Sequence, residues 1–278
     1  MPAYARPSGS SRGLNQIIGP TGMTLMLIIA IISTCSCRES ADITPATSNQ
    51  NASSVVQAAA PKLPAAPCDN PYYPPASSAV LNYKITNRGT TLPSLTYSER
   101  RGNLTLGSFT DHREFSDGIK TDAQWSCTPD GLVSSEYAIP AVVRLTSAYK
   151  FDSVRAAHPA IPVADKWAPG YEWTTTYQVS GSQIEGGSQS QGKVSGTIEV
   201  KSQIVSSEKV TVPAGSYDCW LVDSTIRAPL KIEASSGAFR PALMSIRVSA
   251  WYAKGVGLVR AAYSGDIGTG QEELTSIK

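Results

Sequence analysis

Two histidines bound what this chain can do by proton transfer. His112 lies in "TDHREF" and His158 precedes Pro159. Imidazole titrates near neutrality, so a hydrolytic relay would be built on one of them. His112 with Asp111 or Glu114 is the arrangement the spacing allows. The nucleophile for it is missing, because no G-x-S-x-G elbow occurs. Asp111, Glu114, Asp117 and Asp122 cluster around the same stretch. They read as carboxylates flanking hairpin turns, facing water, rather than as an acid–base pair, whose spacing would be spatial. Without H-E-x-x-H, C-x-x-C or an Asp-rich calcium loop, no metal ligand set is expected, and no cofactor signature is found. Cys219 would serve as a nucleophile only if exposed beside positive charge. In "SYDCWLV" it falls in phase with Tyr217 and Leu221 on the core face, where a thiol behaves as a small hydrophobe. The expectation is therefore a protein that is not an enzyme.

One further stretch resembles a binding loop. In "WYAKGVGLVR", residues 251–260, Gly255 and Gly257 open like a phosphate cradle. A dinucleotide loop needs a third glycine at the sixth position and then a helix. That position is Arg260, and the "AAYSGDIGTG" that follows alternates and turns. The pair reads as a bend or bulge between two strands.

The elements that would carry these residues are strands. Leu81, Tyr83 and Ile85 alternate with polar neighbours. Ile198, Val200 and Ile204 do the same, as do Ile246, Val248, Ala250 and Tyr252. Period two places one face on a core and the other in water. Gly-bearing turns at 87–89, 101–103, 116–118 and 129–131 separate the runs, which predicts a meander of hairpins. "AVVRLTSAYK" fits a strand or a short helix, "HPAIPVADKWAPG" a loop, and "GSQIEGGSQSQGK" a polar loop between strands. The fold class expected is mostly β: an antiparallel meander forming a curved sheet or half-open barrel, with few or no long helices. Two similar halves, about 68–165 and 166–278, are suggested by a strand-opening aromatic after a proline turn in each.

Composition agrees. Charged residues make up 17%, with 22 Gly, 19 Pro, and 12 Tyr against 4 Phe. Arg6 and Arg12 carry the net charge of +2, since the chain from residue 38 onward balances 22 cations against 22 anions. No basic stripe exists to neutralise phosphates, so nucleic acid is not an expected partner.

The N-terminus has no acidic residue before Glu39. Arg6 and Arg12 precede the apolar "MTLMLIIAIIST", and "CSC" follows. About 11 apolar residues are too few for a bilayer, which needs roughly 20, but suit an export signal. The stretch resembles the leader of a bacterial lipoprotein, with Ser36–Cys37 at the lipobox end and Cys37 as the lipidated residue; Cys35 is the alternative. Met1 or Met23 can be the start. Residues 1–37 thus read as a signal peptide with lipobox, 38–67 as a disordered tether, and 68–278 as the β-rich domain. A tether of that length reaches about 30 Å. Outside the cytoplasm a disulfide is expected. Cys219 is assigned to the core, Cys68 opens the domain and Cys127 ends a strand beside a turn, so the expected pair is Cys68–Cys127.

"VPAGSYDCWLV" at 212–222, "WYAKGVGLVR", "WSCTPDGL" at 125–132 and the opening "CDNPYYPP" resemble signatures of a family of uncharacterised bacterial lipoproteins. The resemblance covers roughly 68–265. It implies an antiparallel sheet curved like a half-barrel on a lipid tether, with no catalytic residues to carry over. The function expected is a lipid-anchored cell-envelope protein, exported and held to the membrane by its N-terminal lipid, that binds a lipid or hydrophobic ligand through residues the sequence does not identify. The alternatives are a structural or assembly partner of another envelope protein and a cryptic hydrolase using His112.

Overall fold

A computed structural model describes residues 68–278, apart from 76–77, 91–92, 103, 185–190 and 235. The leader, the tether and both lipidation candidates, Cys37 and Cys35, lie outside the described residues.

The alternating segments form a 13-stranded antiparallel sheet that stays open. One meander comprises β1 (Val80–Arg88), β2 (Leu95–Arg101), β3 (Ser108–Phe115), β4 (Lys120–Thr128) and β5 (Gly131–Ser134). After the helix α1 (Pro140–Leu145) come β6 (Tyr149–Ala157) and the two-residue β7 (Ile161–Pro162). The second meander is β8 (Glu172–Ile184), β9 (Gln191–Val212), β10 (Gly215–Glu233), β11 (Phe239–Ala253), β12 (Gly257–Gly265) and β13 (Gly268–Ile277). The two meanders join side by side where β1 pairs with β13. β6 caps one edge by pairing with β8, and β7 caps the other by pairing with β5.

This topology explains the interior. The chain leaves β5 at one end of the sheet and must reach β6 at the other. It crosses on the buried side, where Tyr137, Ile139, Ala141 and Val142 join one core with Tyr83 of β1, Ile198 of β9, Ile226 of β10 and Leu274 of β13. A segment that packs on strands of both meanders at once requires the sheet to curl around it. The stretch left open between helix and strand is both: Pro140 starts α1 with its φ already helical, and Thr146 ends it by donating its hydroxyl to the Val142 carbonyl, 2.9 Å away. Tyr149 then begins β6.

The alternation holds in detail. Leu81, Tyr83 and Ile85 are buried, as are Ile198, Ile204, Ile246, Val248 and Ala250. Register shifts alter the phase, and two of them fall in stretches singled out above. One, between Leu221 and Val222, leaves Cys219 buried but Tyr217 and Leu221 only half-buried, so the expected in-phase core face stops short. The other, between Trp251 and Tyr252, sits in the hairpin that ends at Gly257. The glycine pair is thus a turn following a bulge, with φ of 78° at Gly255 and 99° at Gly257, values that favour glycine. Cys68 is disulfide-bonded to Cys127, and Cys219 is a free buried thiol.

Candidate functional site

The residues with chemical potential are on the buried face of β2 and β3. Tyr97, Glu99 and Arg101 alternate inward on β2; Phe109, Asp111, Arg113 and Phe115 do so on β3. The register sets Glu99 opposite Arg113 and Arg101 opposite Asp111, so opposite charges face each other across the strands and also lie two residues apart along each. Arg113 donates Nε to Glu99 Oε2 at 2.8 Å, Nη1 to Glu136 Oε2 at 2.5 Å and Nη2 to Asp111 Oδ2 at 3.4 Å. Arg101 donates Nη2 to Glu99 Oε1 at 3.1 Å and Nη1 to the carbonyls of Pro74 and Val256, and its guanidinium lies 4.2 Å from the Tyr73 ring centre. Asp111 is fully buried; it accepts from Tyr73 Oη at 2.5 Å and Trp125 Nε1 at 2.7 Å. Its Oδ1 has no hydrogen-bond partner, and Arg101 Nε stands 4.0 Å from it.

Two guanidiniums therefore meet three carboxylates, and at Asp111 and Glu99 burial competes with the arginines. Burial and the neighbouring Glu99 push the Asp111 carboxyl up to about 7, against the pull of both arginines. Burial also pushes Glu99 upward, but Arg113 and Arg101 outweigh it and hold Glu99 below the usual carboxylate range. Deeper in the core, Glu272 is fully buried, accepting from the Tyr97 hydroxyl and from the Ala141 N–H at the start of α1, 3.1 Å away. Burial raises it to about 7.

Three of the four stretches singled out in the sequence contact this cluster, and the fourth packs beside it. In "CDNPYYPP", Tyr73 bonds Asp111 and the Pro74 carbonyl takes Arg101. In "WSCTPDGL", Trp125 bonds Asp111 and packs against Tyr73 in a tilted pair with ring centres 4.4 Å apart, and Cys127 ties back to Cys68. In "VPAGSYDCWLV", Trp220 donates to the Tyr72 hydroxyl at 3.0 Å. In "WYAKGVGLVR", Gly255 N–H donates to the Pro71 carbonyl at 2.7 Å and Val256 holds Arg101. A Cβ on Gly257 would stand 2.6 Å from Arg101 Nη2. The glycine bend thus seats an arginine.

Beside the cluster lies a cavity of about 100 Å³, within a crevice whose envelope, mouth included, is about 890 Å³. Trp125, Trp167, Trp173, Tyr177 and Tyr252 supply aromatic wall, Val222, Val248 and Ala250 aliphatic wall, and Glu99, Arg113 and Glu136 one charged border. The concavity is apolar with an ionic margin.

The carboxylates expected to sit in water at turns divide. Glu114, Asp117 and Asp122 are exposed, but Asp111 is buried inside β3 because its alternation phase is that of Phe109 and Phe115. The relay of His112 with Asp111 or Glu114 does not form. Adjacent strand residues point to opposite faces, so His112 is outside, with Nδ1 2.8 Å from Asp122 Oδ1, and Glu114 pairs with Lys120. His158 is exposed in a loop. Among the described residues no group of three or more His, Cys, Asp or Glu is placed to hold a metal. The sequence reading missed Glu99, Arg101, Arg113, Glu136, Glu272 and the tyrosines around them. The signal was present in "LTYSERR" and "SFTDHREF", where charges occupy the same phase as aromatics.

Residues 179–266 match a family of uncharacterised domains described as DUF3108-like, a stretch running from within β8 to the end of β12. A search of curated proteins found no match. Among solved structures, a protein from Bacteroides fragilis described as exported, with a YmcC-like fold, aligns at 15% identity over 74% of this chain and 98% of its own, with a TM-score of 0.48. One from Parabacteroides distasonis, described as a lipoprotein, aligns at 16% identity over 75% of this chain and 99% of its own, with a TM-score of 0.42.

Proposed function

We propose that this chain is an exported, lipid-anchored, non-catalytic binding protein of the cell envelope, whose curled sheet takes the apolar part of a small hydrophobic ligand. The observation that carries the reading is the aromatic-walled cavity beside the buried ion cluster. Apolar concavities with a few fixed polar groups are the usual form of small-molecule sites. The leader accounts for export, with Cys37 or Cys35 as the acylated residue. The enclosed room, about 100 Å³, is smaller than the roughly 150 Å³ that admits a benzene ring. It therefore takes one end of a ligand, and the rest lies along the crevice. Both guanidiniums of the cluster are engaged by carboxylates or carbonyls, so neither is open to polarise a substrate, which favours binding over catalysis.

Native mass spectrometry of the protein extracted without added lipid tests this. A hydrophobic adduct is expected on the wild type and its loss on Val200→Phe, which narrows the cavity. A wild type free of adduct that also fails to bind medium-chain amphiphiles refutes the reading.

A second reading, docking on another envelope protein, draws on the outer face of β11. Phe239 is 71% and Leu243 72% exposed, on the same side of the strand. Cross-linking from these positions in intact cells would capture one reproducible partner; its absence counts against this reading.

A further inference from the structure

The polar end of the ligand can be read from which groups on the cavity wall remain unspent, an argument that rests on the binding reading above. Most are engaged. Trp125 donates to Asp111, Trp167 to the Pro162 carbonyl and Trp173 to the Ala160 carbonyl. Thr175 donates to the Pro159 carbonyl, and Ser202 and Ser224 bond each other at 2.8 Å. Arg113 directs Nε, Nη1 and Nη2 at three different carboxylates, so it offers no open fork to an anion.

Two tyrosines are different. Tyr177 is 1% exposed and lines the cavity, yet its hydroxyl makes no hydrogen bond to the protein; it is also absent from the side-chain atoms sealed off without a partner, so it borders open space. Tyr252 lines the same cavity, and its hydroxyl is likewise unengaged. Both line this cavity together with Glu136, and after burial the charges of Glu136 and Tyr252 push the Tyr177 phenol upward. A hydroxyl so placed gains a hydrogen bond when a ligand or water answers it. Glu136 supplies the third group. Its Oε2 is held by Arg113, while its side chain, 13% exposed, keeps Oε1 without a protein partner.

We infer that the site selects amphiphiles with a neutral, hydroxyl- or amide-type head, which accepts from the Tyr177 and Tyr252 hydroxyls and can donate to Glu136, and that it rejects carboxylate heads. Phenols donate to a neutral oxygen without needing a counter-charge. A carboxylate head would meet Glu136 and Glu99 with no free cation to offset them. An ammonium head would have to give up its hydration for one oxygen of a carboxylate that is already paired.

The test is tryptophan fluorescence titration of the purified full chain at pH 8 with 1-octanol, octanoate and octylammonium. Octanol is expected to bind at least about tenfold more tightly than either ion. Tyr177→Phe and Tyr252→Phe, which remove only an oxygen, should each weaken octanol about five- to tenfold, the scale of one lost hydrogen bond. Near-UV circular dichroism shows whether each variant keeps its fold. Octanoate or octylammonium binding as tightly as octanol overturns the inference, as does octanol binding unchanged in both variants; in those cases the binding reading survives. Failure of all three probes to bind removes both.

Discussion

Replacing Glu272 by Gln should make the protein's stability less dependent on pH, by an amount the structure fixes. Glu272 is fully buried and its carboxyl is raised from the ordinary 4.5 to about 7. The folded chain therefore binds this proton more tightly than the unfolded chain, and between about pH 4.5 and 7 it carries more of it. Stability falls as pH rises through that window and levels off above it. With 1.36 kcal/mol per pKa unit, the shift corresponds to about 3 kcal/mol in total, of which about 2–3 kcal/mol is lost between pH 5 and pH 8. Gln keeps the volume and an oxygen for the Ala141 N–H, and its NH₂ can turn to the Tyr97 hydroxyl. Any mismatch in those bonds is a constant. The difference between variant and wild type should therefore move by about 2–3 kcal/mol in favour of the variant from pH 5 to pH 8. Urea unfolding followed by tryptophan fluorescence at both pH values measures it, and contributions from Asp111 and Glu99 cancel in the subtraction. A gap that stays constant across this range refutes the assignment of a raised carboxyl at Glu272.

Other perturbations separate the parts of the cluster. Arg113→Met leaves Glu99, Asp111 and Glu136 without their shared cation and should cost about 3–5 kcal/mol in denaturant unfolding, whereas Lys120→Met, which opens the exposed pair with Glu114, should cost under about 1 kcal/mol. Gly257→Ala places a methyl against Arg101 at a φ of 99° and should lower the melting temperature more than Gly255→Ala, whose φ of 78° is also unfavourable but whose surroundings are open. Removing the Cys68–Cys127 bridge, which closes a loop with a sequence separation of 59, should cost about 4 kcal/mol by chain entropy. Cys219, buried and pushed up to about 11 chiefly by burial, should resist thiol reagents in the folded chain and react only after denaturation, as peptide mass mapping would show.

The strands were legible because their signal is local. Leu81, Tyr83 and Ile85 announce a half-buried strand without help from elsewhere. The glycine bend was legible for the same reason, since Arg260 occupies the position where a cradle needs glycine. The ion cluster was not read, although Asp111 and Arg113 share a phase with Phe109 and Phe115. Charge argued for water, and nothing local shows that Glu99 faces Arg113, which is set by register. Glu272 was beyond reach, because its partners Tyr97 and Ala141 belong to a distant strand and to the helix that crosses the interior. The phase changes at Val222 and Tyr252 come from register shifts, which a strict period-two count cannot anticipate.

The seam between β1 and β13 has a consequence for how the molecule is assembled. Asn82 and Ser276 bond across it although 194 positions separate them, and Val80 and Lys278 exchange backbone hydrogen bonds. During synthesis the earlier meander must wait, with one flank bare, for the ten-residue β13 to arrive and zip the halves together. Until then its unpaired backbone is open to any neighbouring chain in extended form. Such an order of events makes a holding chaperone useful before the last strand docks, and makes loss of that strand a more severe lesion than its length suggests.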